Sequence, residues 1–69
     1  MEIIFTQHAL ERIGKRKILK EEAIDCVRYP DKIHKKHGKH YFQKKTGRGT
    51  IEAVCEKKDY IKIITVYWV

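Results

Sequence analysis

His8 and Arg12 stand four residues apart in the stretch Thr6-Gln7-His8-Ala9-Leu10-Glu11-Arg12. On a helix, side chains at that spacing are neighbours on one stripe. An imidazole exchanges its proton near neutral pH. A guanidinium is a permanent cation whose planar fork matches two phosphate oxygens. Together they suit phosphodiester chemistry, and RNA in particular. RNA is cleaved without metal when its own 2′-OH attacks the adjacent phosphate in line. That step needs a base for the hydroxyl, a cation for the phosphorane charge and a donor for the leaving 5′-oxygen. Near the other end of the chain, Thr65 and Tyr67 are two apart and share a face if that segment is a strand. Tyr67 could then donate to the leaving oxygen while Thr65 positions the phosphate. The same residues also have plain structural roles. His8 can bond a nearby backbone group or carboxylate, Arg12 can pair with an acid such as Glu56, and Thr65 and Tyr67 are ordinary strand residues.

These residues depend on the elements that would carry them. Thr6 is a good helix N-cap, and Gly14 fits the left-handed position that ends a helix. Ala9, Leu10 and Ile13 share the apolar face of the helix between them. Residues 2–5 read as a strand before it, and Lys15-Arg16-Lys17 as a basic connector after it. Residues 20–29 form a second helix with Ala23, Ile24 and Val27 as its apolar stripe, stopped by Pro30. Leu19 or Lys20 stands where a polar cap is expected. After Pro30 the period becomes that of strands. Residues 31–36 and 39–46 pair as a hairpin through His37-Gly38. Gly47-Arg48-Gly49 turns into a strand at 50–56, and Lys57-Lys58-Asp59 into a last strand at 60–69. This last strand is apolar enough to be central and buried on both faces. The order β-α-α-β-β-β-β predicts an α+β domain, with two helices on one face of an antiparallel sheet.

The 69 residues make one domain, 1–69, with a net charge of +7. A chain this small has little surface to bury, so a homodimer or a tight partner would help it. The charge favours polyanions, nucleic acid first. Between residues 32 and 48 there are seven Lys or Arg and no acid, with Tyr41 and Phe42 interleaved. Cations for phosphates and flat rings for bases are what single-stranded RNA binding requires. Lys35, Lys36, Lys39, Tyr41, Lys44, Lys45 and Arg48 are therefore candidate RNA contacts, with Lys15 and Arg16 beside them. The competing explanation is lysine that keeps an edge hairpin soluble. His34, His37 and His40 are three apart and alternate faces on a strand, so no metal is expected, nor any other cofactor. Cys26 and Cys55 have neither metal nor redox spacing and read as buried thiols. With no signal peptide and no apolar run near ~20 residues, the expected setting is the reducing cytoplasm, away from membranes.

The stretch 6–12, with Ile18, Glu21-Glu22-Ala23, Tyr29-Pro30 and Ile64-Thr65-Val66-Tyr67, resembles a family of small microbial domains of unknown function. Its members open with a strand and an H-A-x-x-R helix and close with a strand containing T-x-Y. The family in turn resembles the RelE/ParE/BrnT-like toxins and the wider group of barnase-, EndoU-, colicin- and RelE-like ribonucleases. The resemblance implies two N-terminal helices on a curved antiparallel sheet, metal-independent RNA cleavage and an acidic antitoxin protein as partner. His8 and Arg12 match the helical motif, and Thr65 and Tyr67 match the last strand. Leu19 departs from the small polar cap of the pattern. The expectation is a toxin-like endoribonuclease; the alternative is a non-catalytic RNA-binding or partner-binding module on the same fold.

Overall fold

A computed structural model describes residues 1–69. Its elements are β1 (Ile3–Phe5), α1 (Gln7–Arg16), α2 (Lys20–Arg28), β2 (Lys32–Lys36), β3 (Lys39–Thr46), β4 (Gly49–Lys57) and β5 (Ile61–Trp68). The five strands form one sheet in the order β1-β5-β4-β3-β2. The architecture is α+β, with both helices on one side of the sheet. Four strands run antiparallel, but β1 joins β5 in parallel, so the sheet is mixed rather than purely antiparallel. The cause lies in α1, which carries the chain away from β1 before any strand can turn back beside it.

Strand alternation sorts the residues. Phe42, Ile51, Ala53, Cys55, Ile63 and Val66 are buried and meet Ala9, Ile13, Ala23, Cys26 and Val27 from the helices. The thiol of Cys26 reaches the Phe42 carbonyl at 3.3 Å. Both cysteines are free. Burial pushes the thiol of Cys26 up to about 11 and that of Cys55 up to about 12. Phe42, which the sequence places among the exposed aromatics of the hairpin, is part of this core, because its parity turns it toward α2. No helix is long and apolar enough to cross a membrane.

One of the helix boundaries, the end of α1, differs from the sequence reading for a physical reason. Helix α1 runs past Gly14 to Arg16, and Lys17 takes the left-handed conformation with φ 57°. Ile18 N–H donates to the Ile13 carbonyl at 2.9 Å, a closure that tucks Ile18 into the core at 4% exposure. Burying that apolar residue decides where the helix stops. The start of α2 lacks a side-chain cap at Leu19, but Glu22 reaches back to accept from the Leu19 N–H at 2.9 Å, half of a capping box. The hairpin turn is as expected, with His37 and Gly38 both at positive φ, 53° and 75°.

Strand β5 lies second from the edge, between β1 and β4. Its pairing with β1 ends at Phe5–Ile63, and beyond that point its outer edge has no strand beside it. A break in register between Val54 and Cys55 against β5 leaves Ile64 unpaired there. Thr65 and Tyr67 consequently fall on the face away from the helices, and Val66 and Trp68 on the face toward them.

Candidate functional site

The unpaired edge of β5 is where helix and sheet chemistry meet. Thr6 caps α1 through the Ala9 N–H at 3.0 Å, and its hydroxyl also donates to the Ile64 carbonyl at 3.2 Å. Ten residues on, the Trp68 indole donates to the Arg16 carbonyl at 2.8 Å. Helix α1 is thus tied alongside β5 at both ends. His8, Arg12 and Arg16 form one stripe along it, each four-residue step turning by roughly 40°. Arg16 faces the strand: its Nη1 donates to the Val66 carbonyl at 2.8 Å and to the Thr65 hydroxyl at 3.3 Å. Arg12 is half-buried and His8 is exposed. The Arg12 Nε–H donates to His8 Nε2 at 3.4 Å, which requires the imidazole proton to sit on Nδ1.

The expected helical pair is therefore joined, and the expected strand pair shares a face. No hydrogen bond links His8 or Arg12 to Thr65 or Tyr67; the guanidinium that reaches Thr65 belongs to Arg16. Helical residues in phase with Arg12 were the available signal, since Arg16 is its next i+4 neighbour, but only if the helix continues past Gly14.

Tyr67 finds a different partner. Its hydroxyl donates to Glu52 Oε2, and the Gln43 amide donates to Glu52 Oε1 at 2.9 Å. Tyr67, Glu52 and Gln43 lie side by side on β5, β4 and β3. Glu52 is 8% exposed, the one charged residue among the buried set. Burial and the neighbouring carboxylate push the Tyr67 phenol up to about 12. It stays protonated at neutral pH and acts as a donor. Glu52 is the site residue that the sequence reading missed. The signal was its register opposite Tyr67, which spacing along the chain does not reveal.

The candidate RNA contacts divide. Tyr41, Lys39 and Lys45 share the face of Tyr67, as does Lys36 opposite Lys39. Lys39 pairs with Glu56 at 3.3 Å, and Lys62 joins the same carboxylate at 3.5 Å; these lysines hold Glu56 below its ordinary pKa. Lys35 and Lys44 have the opposite parity. Lys44 donates to the Tyr29 carbonyl at 2.8 Å and lies between Asp25 and Asp31. Arg48 acts as a clasp. It bonds Glu22 at 2.6 Å and the Lys17 carbonyl at 2.8 Å, and it lies 5.3 Å from the Trp68 ring. Lys15 is an exposed residue in the last turn of α1. Of the three histidines, His34 stacks on Tyr41, His37 makes the turn, and His40 lies beside Phe42 on the other face.

The face that carries Thr65, Tyr67, Glu52, Gln43, Tyr41 and His34 is open, with no element across it. A concavity of about 470 Å³ lies elsewhere, on the helix side, lined by Tyr29, Pro30, Ile33 and Phe42 among others. None of Arg16, Thr65 or Tyr67 lines it. An open polar face suits a polymer strand laid across it better than an enclosed small molecule.

Residues 5–68 match the model of a family described as a domain of unknown function, DUF4258. No curated protein and no solved structure matches the chain significantly.

Proposed function

Taking as premise that the chain belongs to the DUF4258 family, we propose that it binds RNA on the open face of its sheet and cleaves it without metal, by attack of the 2′-OH. The observation that supports this most is the meeting of Arg16 and Thr65 at the edge of a face on which Tyr67 and Glu52 are already bonded. A guanidinium and a hydroxyl hold a phosphate; a protonated phenol donates to an oxygen that gains charge; a carboxylate accepts a proton. Arg12 extends the cationic stripe, and His8, bonded to it, is the candidate general base. On this reading the resemblance to RelE/ParE/BrnT-like toxins would extend to biology: an acidic antitoxin protein as partner, in a cytoplasm that keeps Cys26 and Cys55 reduced.

The test is RNA cleavage by purified protein in the presence of a chelator. Products should end in 2′,3′-cyclic phosphate. His8→Ala and Arg12→Ala should each lower the rate by about two orders of magnitude with the fold intact. RNA that survives intact at high protein concentration would reject cleavage. A second reading, a binding module without catalysis, is favoured by one observation: His8 bonds only Arg12 and reaches neither Thr65 nor Tyr67. Salt-dependent RNA affinity without product separates it from the first.

A further inference from the structure

The ring of His34 lies parallel to that of Tyr41, within 2°, at a centroid distance of 4.9 Å. The two residues are paired across β2 and β3. The same register carries the row onward: Tyr41 faces Val54, and Val54 faces Thr65. One line across the open face thus runs from the Arg16–Thr65 contact, over Val54, to two stacked rings. At about 4.8 Å per strand, Tyr41 stands ~10 Å from Thr65 and His34 ~14 Å. Strand β2 is the edge of the sheet and His34 is exposed, so no protein element covers the outer side of the pair. Lys36 and Lys39 flank it on the same face.

We infer that the His34–Tyr41 pair is a stacking subsite for an unpaired nucleobase, about one or two nucleotides along the strand from a phosphate held at Arg16 and Thr65. This deepens the RNA reading above and rests on it. Stacked rings present a flat apolar surface at low entropy cost, and base–aromatic stacking is tolerant of base identity. A base inside a duplex has both faces occupied. The ligand class is accordingly single-stranded RNA, held by backbone at one end of the row and by a base at the other. The alternation of the strands makes the pair: Tyr41 and His34 share this face, while Phe42 and Ile33 turn to the other.

The test measures affinity for a short 2′-O-methyl RNA, which cannot be cleaved by its own hydroxyl, so binding is read apart from catalysis. The probes are this strand, its duplex, and the same strand with abasic sites. The full chain should bind the single strand more tightly than either of the others. His34→Ala and Tyr41→Ala should each weaken single-strand binding by about 5- to 100-fold and leave abasic binding unchanged. Tyr41→Phe and His34→Phe should restore it, because they keep a ring and remove the polar group. His34 is exposed, so its variant keeps the measurement valid even if Tyr41→Ala loses the fold. Equal affinity for the abasic and intact strands, or His34→Phe behaving as His34→Ala, would overturn the subsite. Loss of cleavage with base-dependent binding intact would instead remove the catalytic reading and leave this one standing.

Discussion

The Tyr67 hydroxyl donates to Glu52 across the β4–β5 pair, where the two residues stand opposite one another in register. Burial and the carboxylate raise the phenol from its ordinary value to about 12. The folded state favours the protonated form, so this contribution to stability is complete below about pH 10 and is lost between pH 10 and 12. In a spectrophotometric titration, one of the four tyrosines should ionise about two units late. Tyr67→Phe should remove that late component, and Glu52→Gln should move it toward 10. Four tyrosines titrating together near 10 would disprove the coupling.

Arg16 should matter more than its place in a basic run implies. Arg16→Ala should lower RNA cleavage by about 100-fold, and Arg16→Lys should recover part of it, because an ammonium keeps the charge without the fork. Cleavage rates under single-turnover conditions would measure this. Wild-type rates in Arg16→Ala would return the phosphate role to Arg12 alone.

The Arg48 clasp should make stability depend on acid. The hydrogen bond from Arg48, with that from the Leu19 N–H, holds the Glu22 carboxyl below its ordinary value. A depressed carboxylate stabilises above its unfolded pKa of about 4.3, and the effect is lost as pH falls through the lower folded value. Arg48→Ala should therefore lower Tm at pH 7, and the gap to wild type should narrow as pH falls below about 4.3. A gap that is constant across this range would assign the loss to the Trp68 contact rather than to the charge pair.

The core gives a further check. Ile63 is fully buried between α1 and the sheet. Ile63→Ala should cost about 2–5 kcal/mol by urea denaturation, against a total stability of about 3–10 kcal/mol for a chain of this size. A cost below about 1 kcal/mol would mean that the helix packs less closely on β5 than described.

Cys26 and Cys55 should resist alkylation in the native protein at pH 8, since burial holds both thiols at about 11 and 12 and the thiolate is the reactive form. Mass spectrometry after treatment with iodoacetamide should show two unmodified thiols until denaturant is added. Rapid labelling without denaturant would show that α2 opens readily.

Local chemistry in the sequence was enough for the element order, the His37-Gly38 turn and the Thr6 cap, because each depends on neighbours a few residues apart. What could not be read that way depended on pairs far apart. Arg16 and Thr65 are 49 residues apart, and Glu52 and Tyr67 are 15 apart; only strand order and register bring them together. The end of α1 was misplaced at Gly14 because glycine is the usual terminator, whereas burial of Ile18 moves the stop to Lys17. Phe42 and Tyr41 look alike in composition, and one step of alternation sends the first to the core and the second to the open face.

The three-residue length of β1 has a consequence for colloidal behaviour. Past Ile63, the outer rim of β5 offers backbone groups that another chain could pair with, and exposed strand rims template aggregation. Here side chains, not a strand, close the rim: the Thr6 hydroxyl occupies the Ile64 carbonyl at 3.2 Å and the Arg16 guanidinium the Val66 carbonyl at 2.8 Å. Arg16 is thus a gatekeeper as well as the proposed phosphate ligand. On the proposed function, a polyanion that drew the guanidinium fully onto itself would uncover the rim at Val66, so that occupancy of the site and resistance to self-association would compete for one residue.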